Sequence, residues 1–86
     1  MPPAVTAVTL ERERTALWQD WLAAHVPAAL AARVTGLTER EDTLVVFAES
    51  AAWCARLRFA LQELEAAARE LRPQLKAIEV RVLPRA

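Results

Sequence analysis

Apolar residues fall into three rhythms along this chain. In the first, Leu10, Leu17, Trp18, Trp21 and Leu22 recur at helical spacing, while Glu11, Glu13, Arg14 and Asp20 fill much of the other face. This predicts a helix from about Leu10 to about His25. Thr6 or Thr9 can cap it, and Glu11 and Glu13 suit its electropositive start. Pro27 interrupts the pattern, because it has no N–H and its ring clashes with the preceding turn. Proline also suits a first helical position, which allows a short further turn over Ala28–Ala32. Met1–Ala7 shows no periodicity. Residues 1–8 are expected to form a flexible terminus and residues 9–84 a single domain.

The second rhythm is extended. Arg33–Thr38 predicts a strand with Val34 and Thr38 on one face and Thr35 and Leu37 near the other. Gly36, the only glycine, marks a bulge or a close backbone approach. Glu39-Arg40-Glu41-Asp42 follows as a charged, solvated turn. Thr43–Glu49 predicts a second strand that is apolar on both faces, hence central and covered by helix on at least one side. The third rhythm begins at Ser50, a good helix cap. Trp53, Leu57, Ala60, Leu61, Leu64, Ala68 and Leu71 form one apolar stripe down a continuous helix that Pro73 stops. Ile78-Glu79-Val80-Arg81-Val82 then alternates, with Ile78, Val80 and Val82 inward. The order helix, strand, strand, helix, strand predicts an α+β fold: a three-stranded sheet with two helices packed on one face. The long helix crosses over the sheet, so the third strand is a candidate parallel neighbour of the second.

At 86 residues the chain is sized for one small domain, and its 55% hydrophobic content supplies a core. No stretch approaches the roughly 18 consecutive apolar residues of a membrane span, and the N-terminus lacks the basic start of a signal peptide. These features, and a single cysteine, predict a cytoplasmic protein that does not engage membranes. Net charge is zero, from eleven basic and eleven acidic residues, so no overall basic excess points to nucleic acid. The distribution is uneven. Residues 51–86 carry seven basic residues (Arg56, Arg58, Arg69, Arg72, Lys76, Arg81, Arg85) against four acidic ones (Glu63, Glu65, Glu70, Glu79). A basic half is compatible with a polyanion site, although a solvated mixed surface also accounts for it.

Catalytic and cofactor chemistry is missing from the sequence. One glycine excludes a glycine-rich phosphate cradle, and no nucleophile elbow is present. Cys54 and His25 alone cannot hold zinc. Cys54 reads as a small buried hydrophobe, His25 as a helix-terminal or surface residue, and Trp18 with Trp21 as anchors of the first helix rather than a base-stacking platform. No cofactor, no metal and no enzymatic activity are expected.

One pattern is more specific. Leu44, Val46, Ser50, Trp53 and Leu57 fit a strand of the form L-x-V-x-x-x-S running into x-x-W-x-x-x-L. A Trp in the first helix (Trp18 or Trp21) precedes them, and the leucine-rich QELEAAARELRP and the strand IEVRVLP follow. Over roughly Leu17–Leu83 the chain resembles the DciA family of bacterial replication proteins. The resemblance implies a KH-like domain that binds the hexameric replicative helicase DnaB and helps to load it on single-stranded DNA. KH domains that bind nucleic acid present a G-x-x-G loop between two helices. This chain has none, and one continuous helix would leave no place for it, so DNA contact would fall to arginines.

The candidate nucleic-acid residues are therefore Arg58, Arg69 and Arg72, then Lys76, Arg81 and Arg85, with weak affinity for single-stranded DNA. Arg56 and Phe59, off the apolar stripe, are the candidate partner-contact residues, although packing of Phe59 against the first helix accounts for its position equally well. The chain is expected to be a monomer or weak dimer. Two other readings compete: a KH-like RNA-binding module acting on ribosomes or transcripts, and a structural or dimerising domain without nucleic acid binding.

Overall fold

A computed structural model describes the backbone of residues 3–85 and the side chains from Leu10 to Arg85. Helix α1 runs Pro3–His25 and is followed by the single turn α2, Ala28–Ala31. Strands β1 (Val34–Arg40) and β2 (Thr43–Ala48) lead into helices α3 (Ala51–Glu63) and α4 (Glu65–Leu71), and β3 (Ala77–Val82) ends the fold. Helix α1 thus starts well before the expected Leu10. Met1 and Pro2, in the expected flexible segment, lie outside the described residues.

The sheet order is β1-β2-β3, with β1 antiparallel and β3 parallel to the central β2. Helix α1 lies over β1, α3 over β3 and β2, and α2 bridges the two helices. This is the expected α+β, KH-like architecture with its helices on one face. Leu44, Val46 and Ala48 point into that layer and are fully or nearly fully buried. Alternate residues Val45 and Phe47 are half-buried on the opposite face.

Helix α1 buries Trp18, Trp21 and Leu22, with Val26 just past its end also buried, while Leu10 and Leu17 are exposed. The buried arc is therefore narrower than the sequence stripe implied. Trp18 and Trp21 meet edge to face at 5.4 Å, which commits both rings to the core. His25 ends the helix, stacked on Trp21 with its Nδ1 3.0 Å from the Trp21 carbonyl.

Three expectations about the strands change. Pairing shifts between Val34 and Gly36, leaving Thr35 as the extra residue of a bulge. A Cβ on Gly36 would stand 3.8 Å from Phe47, an ordinary contact, so the glycine marks the bulge and not a close approach. The bulge changes the phase of β1, and Val34 and Leu37 both pack on the core. The hairpin turn contracts to Glu41 and Asp42, both at positive φ (51° and 62°). Val82 is exposed at the end of the edge strand, whereas Val80 is buried as expected.

The long helix is also not continuous. Ser50 caps α3, its Oγ accepting from the Trp53 N–H. The ladder then breaks at Leu64, whose N–H reaches back three residues to the Leu61 carbonyl at 3.1 Å. The Leu64 carbonyl restarts it by accepting from Ala68 at 2.9 Å. A joint between two helices therefore exists where a KH domain would keep its glycine loop. Here it reads Glu63-Leu64-Glu65, and two carboxylates with no glycine cannot cradle a phosphate.

Candidate partner and nucleic acid surfaces

An open groove of about 510 Å³ separates α3 from the free edge of β3. Arg58 enters it from α3, and Lys76 and Arg81 from the β3 side, beside Glu65 and Glu79. Arg58 Nη2 donates to the Val80 carbonyl at 3.4 Å and lies 3.7 Å from Cys54 Sγ. Cys54 is free and buried, as its small-hydrophobe reading requires. Arg81 pairs with Glu79 at 2.8 Å, with both side chains largely in solvent. Lys76 forms no ion pair among the described residues. Arg69 sits at the rim, where Nε and Nη2 each donate at 3.2 Å to the Leu75 and Lys76 carbonyls and Nη2 meets Glu65 at 2.6 Å. The groove thus presents cations next to acids, and Arg58 and Lys76 form no ion pair with a carboxylate among the described residues.

Two of the expected DNA-contact residues lie elsewhere. Arg72 turns inward. Its Nε and Nη2 donate to Glu39 Oε1 and Oε2 at 3.0 and 2.8 Å, and Trp18 Nε1 donates to the same Oε1 at 2.9 Å. Arg14 approaches to 3.6 Å. Glu39, expected in a solvated turn, is instead 7% exposed on the helix-facing side of β1. Burial pushes its carboxyl up, but the hydrogen bonds from Arg72 and Trp18 and the charges of Arg72 and Arg14 outweigh that and hold it below the ordinary carboxylate value. Glu39 hydrogen bonding likewise raises Arg72 above its ordinary value, against the cost of its burial.

Arg85 is at the other end of the domain. Its Nε donates to Glu49 Oε2 at 2.9 Å and its Nη2 to the Ala32 carbonyl at 2.6 Å. Arg33 reaches the second Glu49 oxygen at 2.8 Å, and these two hydrogen bonds lower the Glu49 pKa. The guanidiniums of Arg33 and Arg56 lie 4.8 and 5.1 Å from the centre of the half-buried Trp53 ring.

Arg56 and Phe59, expected as partner contacts, come together on the outer face of α3. Phe59 is 66% exposed, the most exposed large hydrophobic side chain among the described residues. Phe59 forms one wall of a shallow hollow of about 510 Å³, lined also by Ala29, Leu30, Trp53, Ala55, Arg56 and Ala60. Only Phe59 and Arg56 were legible from the sequence. Leu30 and Ala29 join them because α2 folds back onto α3, which no local pattern announces.

The structure therefore defines a KH-like domain with no glycine loop among its described residues, and it presents two candidate surfaces. The chain belongs to the DciA family: the family model described as "Dna[CI] antecedent, DciA" matches residues 4–82, nearly its whole length. That family is related to the loading of the DnaB helicase. No curated protein matches the chain. No described helix is long and apolar enough to cross a membrane.

Proposed function

We propose that this domain is a cytoplasmic, non-enzymatic adaptor that binds the replicative DnaB-type helicase and assists its loading on single-stranded DNA. The observation that carries it is Phe59, two-thirds exposed beside an Arg56 that forms no ion pair among the described residues, on a chain of a family related to helicase loading. An exposed aromatic next to a guanidinium that has no carboxylate partner among the described residues and rests on Trp53 has the composition of a protein-contact centre. Single-stranded DNA engages the groove between α3 and β3 through Arg58, Lys76 and Arg81, with Arg69 on its rim. Glu65 and Glu79 in the same groove keep that affinity low. Arg72 acts inside the fold, and Arg85 braces Glu49.

Calorimetry with the cognate helicase tests the reading. Binding at micromolar protein that Phe59→Ala abolishes is the expected result, and no binding by the folded wild-type chain overturns it. For the groove, Arg58→Glu with Lys76→Glu should remove single-strand binding, which falls steeply with salt in the wild type. Unchanged DNA affinity excludes the groove, and tighter binding of the matching RNA strand reassigns it.

A further inference from the structure

We propose that the outer face of α3 pairs with the same face of a second copy of this chain, through an antiparallel crossing about a two-fold axis near Phe59. Three observations on one strip carry it.

First, the strip is charge-self-complementary. Arg56 and Glu63 lie three residues before and four after Phe59, both exposed on its side of the helix. Neither forms an ion pair among the described residues, whereas Glu49 and Glu65, at the two ends of α3, are paired with arginines; Arg56 rests over the Trp53 ring and leaves its charge without a carboxylate. When two such helices cross antiparallel with the midpoint between Phe59 and Ala60, Arg56 of each stands opposite Glu63 of the other. The register satisfies both charges twice over, and a parallel crossing would place like charges together.

Second, the strip contains both a knob and its hole. Phe59 projects into solvent and forms one wall of the hollow whose other walls include Leu30, Trp53, Ala55 and Ala60. A residue close to a two-fold axis meets surface close to the same axis, so the Phe59 of one copy enters the hollow of the other reciprocally.

Third, the backbone can be approached. Ala52 and Ala55, on the turns before Phe59, are exposed and short, which permits close helix contact away from the single large side chain. The strip is small, so the dimer belongs to the weak, concentration-dependent class below roughly 1,200 Å² of buried surface.

The helicase contact proposed above uses the same strip. The two occupants therefore exclude one another, and self-pairing holds the loader back until the helicase displaces the second copy. This competition rests on the helicase reading, whereas the pairing itself does not and is tested without helicase.

Sedimentation of the full chain over a wide concentration series should show a monomer–dimer equilibrium. Phe59→Ala should restore the monomer with an unchanged circular dichroism spectrum, as its exposure dictates. Arg56→Glu and Glu63→Arg should each weaken the dimer about tenfold by setting like charges opposite. Mixing these two variants should restore association, because each then supplies what the other lacks. A wild-type monomer at all concentrations overturns the pairing, as does a dimer indifferent to Phe59→Ala or a mixture no tighter than the variants alone. If the dimer holds and helicase binding fails, only the competition falls.

Discussion

Arg72 and Glu39 share two hydrogen bonds, of 3.0 and 2.8 Å, between the last turn of helix and a first-strand position thirty-three residues earlier. Trp18 completes the network, so α1, β1 and the end of α4 converge on one carboxylate. Removing one partner leaves a buried charge or acceptor uncompensated. Arg72→Ala should cost about 2–3 kcal/mol, near the low end for a broken buried pair because Arg72 keeps some solvent contact. Single-strand DNA affinity of the folded variant should not change. Urea unfolding and fluorescence anisotropy check the two halves separately.

Acid should act through the same carboxylate. The folded pKa of Glu39 lies below its ordinary value of 4.5, so its stabilisation is fully present above that pH and is lost as pH falls from there through the folded pKa. Glu39→Gln should lower stability at neutral pH and flatten the decline below it. Glu49→Gln should leave the curve close to wild type, because Glu49 is held by exposed arginines. Urea midpoints measured from pH 7 to pH 3 distinguish the two variants.

The Glu41-Asp42 turn places two ordinary residues at positive φ, where asparagine and glycine are favoured. The Asp42 carbonyl accepts from Lys76 N–H at 2.7 Å, which helps to hold this conformation and does not depend on the side chain. Glu41→Asn with Asp42→Gly should therefore raise stability by about 0.5–1 kcal/mol by relieving the left-handed backbone. A thermal melt shows whether the midpoint rises.

Trp53 and Trp18 should differ on truncation. Trp18 is fully buried and donates to Glu39, so Trp18→Ala should cost about 3–5 kcal/mol and abolish folding in a domain this small. Trp53 is half-buried and rests against two guanidiniums, so Trp53→Ala should cost about 2 kcal/mol, mostly from lost burial. Equilibrium unfolding of Trp53→Ala gives that figure directly.

Local pattern carried the architecture far. The alternation of Ile78-Glu79-Val80, the stripe of Leu57 and Leu61, and the brake at Pro73 each report a burial decision made within a few residues, and each places its element correctly. What failed was information held between elements. Glu39 looks like part of an acidic turn until its strand neighbour Leu37 is seen to face the helices, and Arg72 looks like a surface cation until Glu39 is seen beneath it. Leu64 belongs to the apolar stripe, so nothing in the periodicity marks the helix joint there. Phe59 was legible as lying off that stripe, which left exposure and packing against the first helix equally open, and the structure decides for exposure. Its hollow was not, because half of it comes from α2.

The parallel pairing of β2 with β3 has a kinetic consequence. The β1–β2 hairpin closes over two residues, whereas Thr43 meets Ala77 only after α3 and α4 have formed and folded across the sheet. Non-local closure of this kind is the slow step of small folds. The strand that forms one wall of the Arg58–Lys76 groove is thus expected to be added last and, being an edge strand paired on one side only, to open first. Hydrogen exchange should show the β3 amides that bond to β2 opening before those of the hairpin. The surface proposed to meet single-stranded DNA would then also be the part of the domain most easily loosened to admit it.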